Sequence, residues 1–222
     1  MKKGIIFYRK TMSGIIKLVV IGVLGLGIFG IWKYASAPTV TPSGNSALDI
    51  TEKDWTKGGS DAKATLIEYT DFQCPACGAY YPIVNQLMEE FGDKLKVVIR
   101  HYPLIQIHKN ALPAARAVEA AGRQGKFWEM YDLLFVNQAE WSAADDPMKS
   151  IFSSYAGRAG LDMERFRQDM TDPTLDDKIN ADRETGNILK ITGTPSFFLN
   201  GERLENPSGL EKFKKALESA IP

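Results

Sequence analysis

Cysteine and histidine are scarce in this sequence, which has two residues of each in a chain of 222. Two cysteines are too few for the network of disulfides that stabilises small secreted domains, and a chain of this length can bury an ordinary core without one. A zinc site usually takes four ligands, and His101 and His108 are not spaced from the cysteines as in a zinc finger. The role of the single pair, Cys74 and Cys77, is therefore the first question that the sequence raises.

An excess of positive charge is also missing from most of the chain. The formal net charge is zero, but six of the 27 basic residues precede the first acidic residue, Asp49. The other 21 basic residues stand against 27 acidic ones, so the rest of the chain carries a net charge of about −6. Because proteins that bind nucleic acid usually present a basic patch, we expect no nucleic-acid partner.

An uncharged apolar run follows the first basic residues. It reads LVVIGVLGLGIFGIW from Leu18 to Trp32, and Lys17 extends it to about nineteen residues if its ammonium reaches the lipid headgroups. Most of the early positive charge lies before or at its start, which favours an amino terminus in the cytoplasm. We therefore predict four segments: a cytoplasmic basic tail (1–13), a transmembrane signal-anchor (14–34), a flexible linker (35–47) and a folded domain (48–222).

Two alternatives remain for the amino-terminal segment. The sequence ASA at 35–37 has the small-residue spacing of a signal-peptidase site, although Pro38 directly after it disfavours cleavage. A buried helix of a soluble protein is the other alternative, but the Pro-, Ser- and Thr-rich stretch 36–46 that follows cannot build a core. We expect a single-pass protein of the cytoplasmic membrane whose folded domain faces the periplasm or the cell exterior.

The folded part begins with a strand, a helix and a second strand. ATLIEYT (64–70) is a β-branched apolar run of strand length, and residues 75–91 have apolar side chains at helical spacing. The second strand is predicted at 94–102, where consecutive apolar residues indicate burial on both faces of a sheet covered by helices.

A block of helices separates these strands from the next one. The patterns over about 105–190 are helical and contain no convincing strand. SFFLN (196–200) is the next predicted strand, Asn200 and Gly201 form a hairpin turn before ERLE, and residues 209–221 make an amphipathic helix. This order of elements predicts an α/β fold with a helical insertion.

The two cysteines lie where the first strand passes into a helix. Cys74 precedes Pro75, which is suited to the first helical position, and the spacing to Cys77 allows the Cα separation of roughly 4.4–6.8 Å that a disulfide needs. Unpaired N–H groups and the helix dipole at such a site can lower a cysteine pKa from about 8.5 to roughly 3.5–7.5. We predict Cys74 as the nucleophile and Cys77 as the resolving thiol.

The cysteine pair has two other possible uses. One is a structural disulfide, but closing a loop of four residues restricts the unfolded chain very little. The other is binding of Cu(I) by the two thiolates. No methionine or histidine occurs between Phe72 and Gln86 to complete such a copper site.

Four motifs follow one another between about residues 64 and 220: EYTDFQCPAC, VVIRHYPL, NALPAARAVEAAGRQGKFWEMYDLLF and GTPSFFLNG. In this order they resemble the DsbA-like thiol–disulfide oxidoreductases of the thioredoxin superfamily. The resemblance implies a thioredoxin-like α/β fold with a helical insertion, here preceded by one amino-terminal transmembrane helix. It also implies no metal, and no cofactor beyond a redox-active Cys74–Cys77 disulfide.

The resemblance further implies where a substrate binds. The Thr194–Pro195 peptide bond is expected to be cis, with Pro195 packed against the disulfide. The backbone of Thr194 would then face the cysteines and offer its N–H and C=O groups to an extended substrate segment. Pro75 and Ala76, the dipeptide between the cysteines, are expected to contact the same substrate.

Two further positions match the family, one with an acid–base role and one with a structural role. Glu68, six residues before Cys74, corresponds to a semi-buried acid that exchanges the proton of Cys77, although a solvent-facing strand residue is the alternative reading of its position. Pro82 corresponds to a proline that kinks the active-site helix. Strongly oxidising relatives have a histidine between the cysteines, where this chain has Pro-Ala, so we expect a less extreme Cys74 pKa and redox potential.

The function predicted is that of an extracytoplasmic thiol–disulfide oxidoreductase, an oxidase that exchanges its disulfide with exported proteins. We expect a monomer that a membrane redox partner reoxidises. One alternative is a reductase or isomerase using the same site, although residues 36–63 are too few for the dimerisation domain that such isomerases usually have. Another is a membrane-tethered copper-delivery module. We assign the two histidines and Trp128 to packing or capping.

Overall fold

The computed structural model describes residues 46–146 and 148–221. The predicted basic tail, the signal-anchor and nearly all of the linker lie outside these ranges. Within them, no helix has the length and apolar character needed to cross a membrane. The fold begins with a 3₁₀ turn at Ser46–Leu48 in which Ala47 is buried, so the last residues of the predicted linker belong to the folded domain.

A five-stranded mixed sheet forms the centre of the domain. Its strands are β1 (Trp55–Gly58), β2 (Ala64–Thr70), β3 (Leu95–His101), β4 (Ser196–Leu199) and β5 (Glu202–Leu204). The spatial order is β1-β3-β2-β4-β5, in which the central pair β2 and β3 is parallel and the other pairs are antiparallel. The register of the central pair sets Glu68 opposite Ile99 and Thr70 opposite His101.

The two central strands are buried on both faces, as their apolar runs predict. Leu66 and Val97 belong to the main core on one face, while Ile67 and Val98 belong to a smaller cluster on the other. Because side chains alternate along a strand, the main-core face also carries three polar residues of these strands: Glu68, Thr70 and His101.

Helices cover the sheet and form the insertion. They are α1 (Pro75–Phe91), α2 (Ala111–Gly122), α3 (Phe127–Val136), α4 (Gln138–Trp141), α5 (Ser153–Arg158), α6 (Met163–Thr171), α7 (Asp176–Ile188) and α8 (Leu210–Ala220). The first helix has the predicted bounds and contains Pro82. It is followed by Gly92, whose φ of 50° lies in the left-handed region that favours glycine. Helices α2 to α7 lie between β3 and β4, where the sequence predicts a helical insertion.

The insertion packs directly on the segment that carries the cysteines. Tyr131 and Phe135 of α3 contact Phe72, whose ring centroid lies 5.7 and 5.0 Å from theirs. All three rings are almost fully buried. The position of Cys74, two residues after Phe72, therefore depends on the insertion as well as on the sheet.

β1 is an element that the sequence pattern does not reveal. Three of its four residues are exposed, so it has neither a continuous apolar run nor a clear alternation. Its pairing with β3 and the stacking of Trp55 on Phe127, with ring centroids 4.3 Å apart, hold it in place. Both partners are distant in sequence, which is why local patterns miss this strand.

A buried ion pair holds the segment before β1 against the sheet. Arg100 and Asp54 have side chains that are each 3% exposed, and the guanidinium donates two hydrogen bonds to the carboxylate, of 3.0 and 3.1 Å. Arg100 also donates to the carbonyl oxygens of Ala47 and Asp49. One side chain thus fixes the first residues of the fold.

Replacing Asp54 by alanine should destabilise the domain strongly. The substitution leaves the Arg100 guanidinium buried without its carboxylate, so we expect the free energy of unfolding to fall by about 3–5 kcal/mol. Asp145→Ala, which breaks the exposed pair with Lys109, is the control and should cause no measurable change. Urea denaturation followed by circular dichroism measures both, and equal effects would contradict the role given to Arg100.

Candidate active site

The two cysteines lie at the junction of β2 and α1. Cys74 caps the helix with extended backbone angles (φ −68°, ψ 122°), and Pro75 occupies the first helical position, as the sequence predicts. Cys74 is 7% exposed, whereas Cys77, one turn further on, is completely buried. The pair is present as free thiols, 4.0 Å apart.

The surroundings of Cys74 stabilise its thiolate. A hydrogen bond from the Cys77 thiol is the largest cause, and with the backbone N–H groups of Ala76 and Cys77 it lowers the pKa of Cys74 to about 5, although partial burial opposes this effect. The N–H groups belong to the first turn of α1, where they have no partner inside the helix. Cys74 is therefore ionised at neutral pH.

Cys77 has the opposite character. Burial raises its pKa well above the ordinary value, and the neighbouring charges of Cys74 and Glu68 act in the same direction. The backbone N–H of Asp71 lies 3.5 Å from Cys77 Sγ. Cys77 therefore keeps its proton while Cys74 is a thiolate.

Glu68 lies on β2 and is 1% exposed, so the solvent-facing alternative is wrong. Burial raises its pKa to about 7. Its Oε2 atom makes no hydrogen bond within the described ranges. A carboxyl group of this kind can both accept and release a proton near neutral pH.

The Thr194–Pro195 bond is cis, as the resemblance implies. The Cys74 Sγ atom lies 3.3 Å from the carbonyl oxygen of Thr194, which accepts a hydrogen bond from Cys74 only when its thiol is protonated. Pro75 and Ala76 are exposed beside Cys74. The structure thus brings the predicted substrate-contacting backbone and the predicted nucleophile together.

A groove runs along the cis-proline loop. It is lined by residues 192–197 and by residues 203–206, which comprise the end of β5 and the two residues after it. Asn206 lies at its side and donates a hydrogen bond of 2.7 Å to the carbonyl oxygen of Pro195. The lining includes Thr194, whose carbonyl oxygen lies 3.3 Å from Cys74 Sγ, but not Cys74 itself.

Several residues that the sequence does not single out fix the loop before Cys74. Gln138 Nε2 donates to the carbonyl oxygens of Phe72 and Cys74, at 2.7 and 2.9 Å. Gln73 bonds the backbone of Ser142 and Asn110 through its amide group. Polar residues of this kind carry no sequence signal, because their partners lie 37 to 69 residues away.

Asp71 is the buried centre of this loop. Its Oδ2 atom accepts a hydrogen bond of 2.9 Å from the Leu104 backbone N–H. The same atom lies 2.7 Å from His108 Nδ1. Its Oδ1 atom accepts from the Gln73 backbone at 2.8 Å. His108 therefore holds the active-site loop through its ring.

The other two residues assigned to packing contact different partners. The His101 ring is buried, and its Nε2 atom lies 2.6 Å from Glu119 Oε1. Trp128 lies under the Lys57 ammonium, whose Nζ atom is 5.5 Å from the ring centroid. Among residues 46–146 and 148–221, no group of three or more His, Cys, Asp or Glu side chains is placed to hold a metal ion.

Known proteins share this fold. A family model described as Thioredoxin matches residues 51–219. Among solved structures, alpha-DsbA1 of Wolbachia pipientis superposes with a TM-score of 0.71 at 22% identity, covering 81% of this chain and 96% of that one. BdbD of Bacillus subtilis gives a TM-score of 0.67 at 20% identity, covering 76% and 93%. At these identities the likeness shows a thioredoxin-like fold with DsbA-like structural neighbours.

Two relatives with a higher sequence identity to this chain carry the name of a transporter. Na(+)/H(+) antiporter NhaA 3 of Salinispora tropica is 38% identical over 170 residues, which cover 77% of this chain and 25% of that protein. Na(+)/H(+) antiporter NhaA 1 of Mycolicibacterium gilvum is 38% identical over 200 residues, covering 88% and 31%. The chain therefore spans about a quarter to a third of the length of these curated relatives.

The rate at which Cys74 is alkylated should depend on pH as expected for a thiolate with a low pKa. We expect the rate with iodoacetamide to be nearly constant from neutral to alkaline pH and to fall as the pH is lowered through about 5. Cys77→Ala removes the largest stabilising contact and should move the midpoint upward. Mass spectrometry of the reduced protein measures the rate, with Cys74→Ala as the unreactive control. A wild-type midpoint near that of a free thiol, about 8.5, would contradict a stabilised thiolate.

The burial of Glu68 should make stability depend on pH. Because folding raises the pKa of Glu68 from 4.5 to about 7, the folded protein loses stability as the pH rises through that window. Glu68→Gln should therefore be about 3 kcal/mol more stable than the wild type at pH 8, with a much smaller difference at pH 4. Urea unfolding of the reduced proteins tests this, and Glu202→Gln on the exposed β5 is the control. A stability difference between Glu68→Gln and the wild type that does not change with pH would contradict the raised pKa.

Proposed function

This chain belongs to the thioredoxin family, and from that premise we propose that it is an extracytoplasmic thiol–disulfide oxidoreductase acting as an oxidase of exported proteins. The observation that carries the proposal is the asymmetry of its two thiols. Cys74 is ionised and partly accessible, while Cys77 is buried and protonated. In such a pair, the exposed sulfur forms the mixed disulfide with the substrate, and the buried sulfur resolves it.

The exchange begins from the Cys74–Cys77 disulfide. A substrate thiolate attacks Cys74 Sγ, the S–S bond breaks, and Cys77 leaves as a thiolate that takes a proton from the Glu68 carboxylic acid. A second substrate thiolate then attacks the substrate sulfur of the mixed disulfide and releases Cys74 as a thiolate. The substrate loses two electrons and gains a disulfide, and the protein is reduced by the same two electrons.

The electrostatics favour an oxidase over a reductase. Every contact that stabilises the Cys74 thiolate stabilises the reduced protein, and this makes the disulfide a stronger oxidant. A Cys74 pKa of about 5 lies between the values of about 3.5 in DsbA and about 7 in thioredoxin. This intermediate value suits a site that has Pro-Ala, and no histidine, between its cysteines.

The cis-proline loop supplies the binding surface in this proposal. An extended substrate segment would lie along the groove at 192–197, with its cysteine at Cys74 and its backbone paired with Thr194. The exposed Pro75 and Ala76 would contact its other side. Main-chain pairing of this kind recognises many sequences, as an oxidase of varied exported proteins requires.

The predicted signal-anchor supports a domain that works at the outer face of the cytoplasmic membrane. There a membrane redox partner would reoxidise the dithiol by accepting two electrons. The antiporter activity in the relatives' names belongs to proteins of which the aligned region is only about a quarter to a third.

The redox potential tests the direction of electron flow. Equilibration of the full chain in glutathione buffers should give a potential less negative than about −200 mV, on the oxidising side of the glutaredoxins. The oxidised and reduced fractions are counted by alkylation and mass spectrometry. A potential near about −270 mV, as in thioredoxin, would contradict an oxidase and indicate a reductase.

Trapping tests the substrates and the compartment. A Cys77→Ala variant cannot resolve the mixed disulfide, so in cells it should accumulate adducts with exported proteins through Cys74. The Cys74→Ala, Cys77→Ala double variant is the control and should capture none. Adducts made only with cytoplasmic proteins would contradict the proposed location, and no adducts at all would contradict the exchange itself.

A further inference from the structure

We infer that Thr70, His101 and Glu119 form a proton route between Glu68, beneath the cysteines, and a surface cleft that contains none of the active-site residues. The inference rests on the proposed function, because proton exchange at Cys77 is what the route serves. It assigns positioning and relay roles to three residues that lie outside the cysteine site.

The chemistry requires such a route. Cys77 takes up a proton when the disulfide opens and gives one up when it closes again. Both Cys77 and Glu68 are sealed from solvent, with exposures of 0% and 1%. Cys74 is the nearest opening, but in the mixed disulfide the substrate covers it. The proton must then enter or leave through the interior of the protein.

Unpaired polar atoms mark a path away from Glu68. Oε2 of Glu68, Oγ1 of Thr70 and Nδ1 of His101 are buried and have no partner at hydrogen-bonding distance and angle in the described part of the chain, although the Thr70 hydroxyl is close enough to Glu68 to lower its pKa. The register of β2 and β3 sets Thr70 beside His101, and alternation puts Glu68 on the same face. Buried polar atoms are nearly always paired, so three unpaired ones on neighbouring positions need an explanation.

The outer half of the path is hydrogen-bonded. His101 Nε2 lies 2.6 Å from Glu119 Oε1, and the same oxygen accepts a bond of 2.6 Å from Trp55 Nε1. We assign the Nε2 proton to His101, because Glu119 Oε1 is the acceptor of the Trp55 hydrogen bond and serves both partners as an acceptor. The free Nδ1 atom can then take a proton from the Thr70 side while Nε2 releases one to Glu119.

Glu119 connects this pair to solvent. It lines a surface cleft together with Lys53, Arg123, Asp177 and Lys178. Its own side chain is 9% exposed, while that of His101 is 0% exposed. The cleft is therefore the place where the buried chain of polar groups meets water.

One proton passes along the path from Glu68 to the cleft, which leaves Glu68 ionised and leaves His101 with its proton on Nδ1 in place of Nε2, until the reverse sequence restores both. Protonated Glu68 gives its proton through the Thr70 hydroxyl, which can accept one hydrogen bond and donate another, to His101 Nδ1. His101 Nε2 passes a proton to Glu119, and Glu119 releases it to the cleft. The reverse sequence supplies a proton when Cys77 leaves the disulfide. Internal water commonly joins buried polar atoms of this kind.

The test compares one substitution in two backgrounds. In the full chain, Glu119→Gln should slow reduction of the Cys74–Cys77 disulfide by a saturating dithiol peptide, measured by stopped flow, by about 10-fold or more. In the Glu68→Gln background the same substitution should have no further effect, because the route then lacks the group at its inner end that passes the proton to Cys77. Thr70→Val, which removes only the hydroxyl, should behave like Glu119→Gln, and Glu202→Gln on β5 is the control.

The redox potential and the alkylation rate of Cys74 should not change in Glu119→Gln, since Glu119 lies outside the cysteine site. Thr70→Val is judged by the rate alone, because the Thr70 side chain lowers the pKa of Glu68. An equal loss of rate in both backgrounds would show that Glu119 acts only on the packing of the domain, and it would overturn the route. Unchanged rates in both variants would overturn it as well. If the wild type itself exchanged no disulfide, the proposed function would fail first.

Discussion

Water is excluded from Cys77 but not from Cys74, and the two residues are one helical turn apart. The break between β2 and α1 produces this difference, because it leaves Cys74 at the tip of the helix and turns Cys77 into the core. Charge is favoured at the tip by unpaired N–H groups and disfavoured in the core by burial. The hydrogen bond between the thiols joins the two effects, since the proton kept by Cys77 stabilises the charge on Cys74.

The helical insertion makes this geometry rigid. Gln138 reaches from α4 to the carbonyl oxygens on both sides of Gln73, and Asp71 is held by the backbone and by His108 from the segment after β3. The rings of α3 press on Phe72. The loop is short, but its conformation is determined mainly by residues that are distant in sequence.

The central strands, α1 and the terminal helix could be predicted because their apolar patterns are local and strong. The tip position of Cys74 followed from Pro75 and the preceding strand, and the cis bond at Pro195 followed from the resemblance. β1 could not be predicted, because its stability comes from β3 and from the Phe127 ring. The burial of Glu68 was equally hidden, since a single acid in an apolar strand can face either way until the register and the covering helices are known.

The two faces of the sheet also carry charged groups with different roles. Tyr69 and Arg100 point to the face that carries the Asp54 ion pair, where the charges are fixed by direct bonds. Glu68 points to the opposite face, towards Cys77, and the charges that raise the pKa of Cys77 are those of Glu68 and Cys74. Structural ion pairs therefore stabilise the fold without setting the chemistry of the thiols. Substitutions in the Arg100 network should change stability, whereas the affinity of Cys77 for its proton depends on groups that can themselves gain or lose one.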